Sequence, residues 1–393
     1  MFDKIGRHFL QIPGPTNVPN RILQAISRPT IDHRGPEFKQ ISKEVLIGLR
    51  RIFKTENPVL IFPTSRTGSW EAALVNTIEP GDKILMFETG HFAIMWKQMA
   101  ENLGINVDFV PGDWRTGVDP KIVEERLIKD QAQEIKAVAV VHNETSTGVT
   151  SQISEIRSAI NRANHSTLLM VDTISSLGSM DYCHDEWRVD VTICCSQKGL
   201  MLPPGLGFNV ISEKALDRSI SCTTKRHFWS WSDMLKANSN FFYPSTPGTN
   251  LLFGLREAIS MLEEEGLDNV FKRHQCFAEA TRLAVRSWGL EILSIIPSEN
   301  SNSLTAVLVP DDHSADKLRD VILKRFNMSL GNGLGKVADK VFRIGHLGDL
   351  NDLSLVGTLA GIEMGLEIAS IPHSKGGITV AMDHLLKNKL VSS

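Results

Sequence analysis

The sequence predicts an α/β protein built on a mostly parallel sheet. Short, largely apolar runs such as residues 59–62 and 135–141 alternate with stretches of helical periodicity, which is the pattern of strand–helix–strand units. Polar or Gly/Pro-rich turns follow several of these runs directly. With 393 residues and 42% hydrophobic content, the chain can bury a large core and is expected to divide into two lobes.

Composition and charge argue against several classes of protein. A formal net charge of −3 gives no electrostatic footprint for nucleic acid or an anionic membrane. The five cysteines are odd in number and form no C-x-x-C pair, so a disulfide framework or a zinc site is not expected. No apolar run approaches the ~18 to 20 residues of a membrane span, and the start at Met1 lacks a signal peptide's apolar core. We therefore expect a cytoplasmic protein.

The first elements follow from these patterns in chain order. Residues 8–19 are predicted to form an extended arm, because Pro13, Pro15 and Pro19 disfavour helix and Gly14 permits unusual backbone angles. The elements predicted next are a helix from about Asn20, strand 59–62, a helix from near Ser69, strand 83–87, a helix from near His91, strand 135–141 and a helix from near Ile153.

The second half of the chain divides between the two lobes. Strands 168–172, 191–195 and 206–212 complete the large lobe, and the aromatic-rich segment 222–249 is predicted to be irregular and to form either a subunit interface or an internal cover. Helices 250–264 and 267–288 precede an α+β region, with strands 305–309, 328–331 and 341–346 and helices 315–326 and 352–369. We therefore predict an arm over 1–20, a large domain over 21–265 and a small domain over 266–393.

Lys198 is the most informative single residue. It follows the apolar run 191–195 and precedes a Gly/Pro-rich turn, so its ammonium would be largely desolvated at a strand end. Desolvation lowers the pKa of a lysine and leaves a free amine that can attack a carbonyl. For an isolated lysine, a side chain that simply extends to solvent is the commoner case.

Asp172 changes that balance, because it ends a second apolar run upstream of Lys198. A carboxylate that pairs with a pyridinium nitrogen and a lysine that reaches an aldehyde carbon are the two fixed points that pyridoxal phosphate requires. Alone, Asp172 could cap a helix. Together, on neighbouring strands, the two residues favour a pyridoxal phosphate site at the carboxyl edge of the sheet.

Two strand-to-helix turns offer further ligand groups. Thr67, Gly68 and Ser69 lie near a predicted helix start, where free N–H groups can bind phosphate, although such residues also cap helices in general. Phe92 lies at the next such turn and could stack on a flat heterocycle or pack in the core. Arg343 lies between apolar neighbours on a strand, where alternation sends it to the face opposite Phe342. Its guanidinium suits a substrate carboxylate, with an internal ion pair as the alternative.

As a set, these motifs resemble the alanine/serine–glyoxylate aminotransferases, a branch of the class V, fold-type I transferases that use pyridoxal phosphate. The motifs that carry the resemblance are Pro13-Gly-Pro, Thr67-Gly-Ser-Trp-Glu, His142-Asn-Glu-Thr-Ser-Thr-Gly, Val171-Asp, Cys195-Ser-Gln-Lys-Gly, Pro203-Pro-Gly-Leu-Gly, Tyr243-Pro-Ser-Thr-Pro and Phe342-Arg-Ile-Gly-His-Leu-Gly. They span nearly the whole chain and are most similar to the serine–glyoxylate enzymes. The resemblance implies an aspartate aminotransferase-like fold, with a mostly parallel seven-stranded sheet in the large domain and a smaller C-terminal α+β domain.

The resemblance also implies a role for each candidate residue. Lys198 would be the Schiff-base lysine and proton carrier, and Asp172 would pair with the pyridinium nitrogen. The phosphate would be held by Thr67, Gly68, Ser69 and Gln197, with Tyr243 and Thr246 reaching over from the other subunit of a homodimer. Thr145 would contact the ring's phenolic oxygen, Phe92 would stack on the ring, and Arg343 would bind the substrate carboxylate beside Gly14. The tail lacks the peroxisomal tripeptide of plant relatives, which agrees with a cytosolic enzyme.

The implied reaction is a ping-pong transamination from L-serine, or another small L-amino acid, to glyoxylate, which gives glycine and a 2-keto acid such as hydroxypyruvate. Aspartate or alanine as donor, and a non-transaminase class V enzyme such as a lyase, are the alternatives. A cysteine desulfurase would need a nucleophilic loop cysteine, whereas Cys276, the last cysteine, falls in a predicted helix. No G-x-G-x-x-G follows the first strand, which argues against dinucleotide binding. A scaffold that binds the cofactor without catalysis is a further reading.

Overall fold

The computed structural model describes residues 6–391. Its strands are β1 (Phe9–Gln11), β2 (Val59–Phe62), β3 (Lys83–Phe87), β4 (Asn106–Val110), β5 (Ile135–Val141), β6 (Asn143–Glu144), β7 (Val149–Thr150), β8 (Leu168–Asp172), β9 (Val191–Cys195), β10 (Gly207–Ile211), β11 (Glu291–Ile292), β12 (Leu304–Leu308), β13 (Met328–Asn332) and β14 (Val341–Gly345). Its helices are α1 (Asn20–Ile26), α2 (Pro36–Phe53), α3 (Arg66–Thr77), α4 (His91–Asn102), α5 (Pro120–Lys129), α6 (Ile153–Arg162), α7 (Glu213–Ser221), α8 (Trp231–Asn238), α9 (Thr249–Glu265), α10 (Leu267–Ser287), α11 (Ala315–Phe326), α12 (Asp352–Ile368) and α13 (Gly377–Val391).

The large sheet has seven strands in the order β2-β10-β9-β8-β5-β3-β4. Only β10 among them runs antiparallel to its neighbours. The predicted α/β fold with a mostly parallel seven-stranded sheet is therefore confirmed. Since β8 and β9 are adjacent and parallel, with Asp172 opposite Ile193, their carboxyl ends meet at one edge of the sheet.

Helices cover both faces of this sheet, which explains why its strands are continuously apolar. Along β8, Leu169 and Val171 belong to one core cluster, and Leu168 and Met170 belong to the other. Helices α2, α5, α6 and α9 supply the first cluster, and α3, α4, α7 and α8 supply the second. Period-two alternation thus sends apolar side chains into two separate cores.

The smaller sheet has five strands in the order β1-β13-β14-β12-β11. Its first strand comes from the amino-terminal arm and pairs in parallel with β13. Helices α10 to α13 contribute to its core, and Phe342 and Ile344 of β14 point into that core as alternation predicts. Residues 1–5 of the predicted arm lie outside the described residues. Gly266 separates α9 from α10, and the domain boundary at 265 stays a prediction.

Several local predictions were wrong or incomplete. Helix α3 begins at Arg66, three residues before the predicted start near Ser69. The segment predicted to be irregular contains α8, whose Trp231 is fully buried and donates from Nε1 to Asn209 Oδ1 at 3.2 Å. Trp231 is therefore an internal cover, whereas Phe228 in the same segment is 49% exposed. Strands β4, β6, β7 and β11 and helices α2, α5, α7 and α13 were not predicted. Within residues 6–391, the helices are too short or too polar to span a bilayer.

Candidate active site

Lys198 and Asp172 lie in one cavity at the carboxyl edge of the large sheet. This cavity has a volume of ≈ 140 Å³. Its lining consists of Ser65, Arg66, Phe92, Val141, Asn143, Thr145, Asp172, Ile174, Gln197 and Lys198. Five of the residues singled out from the sequence are thus brought together, although they come from four separate segments of the chain.

Lys198 is the amine that lines this cavity. Its side chain is buried, and its Nζ donates a hydrogen bond to the backbone oxygen of Pro13 in the arm. Burial lowers the pKa of Lys198 to about 7, with further lowering by the positive charges of Arg343 and Arg66. Near neutral pH a large fraction of the side chain is therefore a free amine, as the sequence predicts for a strand-end lysine.

Asp172 is a buried carboxylate with both oxygens held in place. Its Oδ2 accepts from Trp70 Nε1 at 2.8 Å, and its Oδ1 accepts from the amide of Ile174 at 2.8 Å. Burial raises the pKa of Asp172 to about 6, while these two hydrogen bonds oppose the rise. A cationic nitrogen placed beside Asp172 would favour its ionised form, so the carboxylate is suited to pair with a pyridinium.

Phe92 is fixed by the start of α4. The carboxylate of Glu144 accepts from the amides of Phe92 and Ala93 at 3.3 and 3.1 Å, and Ser146 Oγ accepts from the amide of His91 at 2.9 Å. Glu144 comes from the short β6–β7 hairpin that also carries Thr145 into the cavity. One motif thus supplies a cavity residue and orients the aromatic ring.

Three of the predicted phosphate-binding residues, Thr67, Gly68 and Ser69, lie in the first turn of α3, next to the cavity lining. Thr67 is exposed, and Ser69 donates its hydroxyl to the backbone oxygen of Ser65 at 3.1 Å. A Cβ at Gly68 would collide with Thr64 Oγ1. The Ser69 hydroxyl is thus used within the helix, and Gly68 is needed for close packing. The groups left to bind an anion are the first backbone amides of α3, which have no hydrogen-bond partner within the helix.

Gln197 and Asn143 each present an unused polar atom in this region. Both residues line the cavity. Among the described residues, Gln197 Oε1 and Asn143 Oδ1 are buried and have no hydrogen-bond partner. Buried polar atoms are normally paired, so both atoms point to a polar ligand in this cavity.

Arg343 lies behind the cavity, on β14 of the small sheet. Its Nε donates to Asn332 O and its Nη1 to Thr145 O, both at 2.7 Å. Within residues 6–391, no carboxylate lies within ion-pair distance of its guanidinium. Burial lowers the pKa of Arg343 to about 10, which still leaves it charged at neutral pH. The internal ion pair that was the alternative is thus not formed, and the side chain remains suited to an incoming carboxylate.

The arm packs against the side chain of Lys198. Gly14 has φ +96°, and a Cβ there would collide with the Lys198 side chain, so glycine is required at this position. A Cβ built on Gly331 would meet both Pro13 and Arg343, so the arm approaches Arg343 through Pro13. A role for Gly14 in substrate binding beside Arg343 stays a prediction.

Tyr243 and Thr246 are not among the residues that line this cavity. Tyr243 packs edge-on against Phe38, with ring centroids 6.0 Å apart, and lines a separate small cavity. Thr246 is exposed. Their predicted contribution to the site of a second subunit stays a prediction.

Sequence reasoning missed Ser65 and Arg66, which line the cavity. One signal could have identified Arg66. A cation at the first position of a helix opposes the helix dipole, which favours anions there, so an arginine at this place calls for an explanation.

The residues present fit pyridoxal phosphate. The cavity offers an amine of lowered pKa, a buried carboxylate, an aromatic ring and a helix start with free amides. These groups match the aldehyde, the pyridine nitrogen, the ring face and the phosphate of that cofactor.

Comparisons with known proteins agree with this fit. The family described as Aminotransferase class-V matches residues 8–333. The chain is 45% identical to the serine–glyoxylate aminotransferase of Methylorubrum extorquens, over 99% of this chain and 98% of that protein. It is 41% identical to the L-aspartate–glyoxylate aminotransferase of Paracoccus denitrificans, over 95% of each. The crystal structure of ureidoglycine–glyoxylate aminotransferase from Bacillus subtilis matches with a TM-score of 0.89 at 27% identity, over 98% of this chain and 100% of that one.

Proposed function

Because the chain belongs to the class-V aminotransferase family and is a transaminase that uses pyridoxal phosphate, we propose that it transfers the amino group of L-serine to glyoxylate. The products are hydroxypyruvate and glycine, formed in two half-reactions at one site. The observation that carries the reaction class is the meeting of Lys198 and Asp172 in one cavity. The choice of substrates is supported by the full-length similarity to a serine–glyoxylate enzyme.

When bound, pyridoxal phosphate supplies an electron sink that makes the α-proton of an amino acid acidic and stores the amino group between half-reactions. Lys198 is placed to hold the cofactor's aldehyde and, once displaced, to move that proton. A pKa of about 7 suits both tasks, because the amine is free often enough to accept a proton and acidic enough to return it. Asp172 is placed to keep the pyridine nitrogen protonated.

Arg343 supplies the carboxylate subsite. Its guanidinium is held by two backbone oxygens, of Asn332 and Thr145, and so is oriented before the substrate arrives. Such preorganisation lowers the entropy cost of orienting the substrate. Since an amino acid and a 2-keto acid share the α-carboxylate, one arginine serves both half-reactions.

We extend the proposal to assembly and setting. A homodimer would bring Tyr243 and Thr246 of one subunit to the phosphate of the other, which would explain why they lie apart from the Lys198 cavity of their own chain. A cytoplasmic setting is supported by five free thiols. A role in glycine formation follows from the proposed products.

The experiment is a donor panel with glyoxylate as the acceptor, in which glycine is quantified. L-Serine is expected to give the highest kcat/KM. Faster turnover of L-aspartate would favour the second candidate, an aspartate–glyoxylate enzyme, which the Paracoccus relative supports. Absence of glycine with every donor would overturn the proposed function. Borohydride reduction followed by peptide mapping should place the pyridoxyl group on Lys198.

A further inference from the structure

Arg66 is a second cation in the Lys198 cavity, and no residue satisfies it fully. It lines the cavity, and its Cζ lies 4.3 Å from the centroid of the Phe92 ring and 4.9 Å from that of Trp70. Its Nε is buried and has no hydrogen-bond partner among the described residues. Its Nη2 donates a weak hydrogen bond to the sulfur of Met95, at 3.8 Å. A guanidinium with an unused buried donor calls for an acceptor.

Asp172, the carboxylate that lines the cavity, is not the hydrogen-bond acceptor that Arg66 lacks. Both oxygens of Asp172 already accept hydrogen bonds, from Trp70 and from Ile174. Within residues 6–391, no carboxylate lies within ion-pair distance of Arg66. A ligand that enters the cavity can therefore supply the missing acceptor.

The place of Arg66 in the fold indicates the charge of that ligand. Arg66 is the first residue of α3, and Ser65 before it makes no side-chain cap. The amides of the first turn have no partners within the helix and carry partial positive charge. A guanidinium here adds to that charge, at an electrostatic cost that an anion bound at the same point would offset.

We propose that Arg66 binds the phosphate of pyridoxal phosphate, together with the first amides of α3. In the structure its guanidinium covers the face of Phe92, the ring predicted to stack on the cofactor. Cofactor binding therefore moves the guanidinium from Phe92 to the phosphate. This inference rests on the proposed function because it takes the identity of the cofactor from it. It does not depend on which substrates the enzyme uses.

The test compares two ligands that differ by the phosphate alone. Apoprotein is titrated with pyridoxal 5′-phosphate and with pyridoxal, and both dissociation constants are measured by quenching of tryptophan fluorescence. Arg66→Met should weaken pyridoxal 5′-phosphate binding by about 10- to 100-fold, the usual effect of losing a hydrogen bond to a charged group. Pyridoxal should bind as well or better, because the guanidinium no longer has to leave Phe92.

Two further variants complete the test. Arg66→Lys keeps the charge but loses the planar fork, so it should lie between wild type and Arg66→Met, and it carries the test if Arg66→Met does not fold. Arg126→Met is the matched control, since Arg126 lies on α5 and pairs with Asp108 at the surface, and both affinities should be unchanged.

Three results would overturn the inference. One is unchanged affinity for pyridoxal 5′-phosphate. Another is an equal loss of affinity for both ligands, which would place the role of Arg66 at the ring. The third is unchanged cofactor binding with a raised KM for the donor, which would assign Arg66 to the substrate. If wild-type protein forms no glycine, the proposed function fails, yet the two titrations still decide the role of Arg66.

Discussion

Lys198 at the edge of the large sheet and Arg343 on the small sheet are both buried cations, but burial acts on them differently. Burial lowers the pKa of Lys198 to about 7, so this side chain can relieve its desolvation by losing a proton. The pKa of Arg343 falls only to about 10, so Arg343 keeps its charge at neutral pH. Under the proposed function, the first site would provide a reactive amine, and the second would provide a fixed charge for an incoming carboxylate to neutralise. The same physical cost would then support catalysis in one place and binding in the other.

The largest expected effect comes from replacing Lys198, the side chain that can lose its proton near neutral pH. Lys198→Ala should lower turnover by at least about 10³-fold, because it removes both the covalent attachment and the proton carrier. Glycine formation under saturating substrates is the measurement. Lys214→Ala is the matched control, since burial also lowers the pKa of Lys214, whose Nζ instead donates to Thr167 O. Near-normal turnover by Lys198→Ala would contradict the proposal that Lys198, unlike Arg343, takes part in the chemistry.

Removing the fixed charge should affect substrate binding more than chemistry. Arg343→Met is expected to raise KM for amino donor and keto acid together, by about 2 to 4 kcal/mol or roughly 30- to 1,000-fold. Steady-state kinetics with both substrates measures it. Arg282→Met is the control, because Arg282 is also buried but pairs with Glu279 and Ser301 O, and it should reduce stability without raising KM. Unchanged KM in Arg343→Met would make Arg343 structural.

A lysine in place of Arg343 should make the site on the small sheet titrate as the Lys198 site does. In Arg343→Lys, burial should lower the pKa of the new amine, so KM for glyoxylate should rise with pH as the amine loses its proton. In wild type, Arg343 should add no pH dependence to this KM from pH 6.5 to 9, because it remains charged there, so the variant is compared with wild type at each pH. A flat profile in the variant would contradict the comparison.

The smallest expected effect concerns the acid beside Lys198. Trp70→Phe removes a hydrogen bond to Asp172, at a cost of about 1.5 to 3 kcal/mol of unfolding free energy when the carboxylate is ionised. Since burial raises the pKa of Asp172 to about 6 in the folded protein, the folded state holds this proton more tightly than the unfolded state. Stability due to this group therefore falls as pH rises towards 6, and the variant should extend that fall to higher pH, because loss of the Trp70 hydrogen bond raises the pKa of Asp172 further.

Urea unfolding of apoprotein at pH 5 and pH 8, followed by circular dichroism, measures the difference. Trp231→Phe is the matched control, because its Nε1 donates to the neutral Asn209. Its cost should be the same at both pH values. An equal cost of Trp70→Phe at pH 5 and pH 8 would mean that Asp172 does not titrate in this range.

The sequence predicted that Lys198 and Asp172 meet, but it did not predict the residues around them. Lys198 and Asp172 each follow an apolar strand, and parallel strands that are neighbours must end at one edge of the sheet. The chain could not reveal that Trp70 holds Asp172, because that contact joins a helix to a strand about a hundred residues away. Arg66 was missed because a single cation among small polar residues has no periodic signal.

Weak patterning explains two of the missed elements. Strand β4 alternates polar and apolar residues at the edge of the sheet, so it lacks the continuous apolar run that marks the central strands. Helix α8 lies in a segment whose aromatic residues obscured its periodicity, and the partner that allows Trp231 to be buried, Asn209, is on β10. For Arg343, alternation predicted the face of the strand, but only the structure shows that no acid pairs with it among the described residues.

The amino-terminal arm joins the two sheets mechanically. Its strand β1 is part of the small sheet, while Thr16 donates its amide to Gln197 O at 3.2 Å and its hydroxyl to Lys198 O at 3.1 Å. Pro13, between these anchors, accepts from the amine itself. A tilt of the small sheet would therefore move the arm against the loop that carries Lys198, because this short segment is hydrogen-bonded to both.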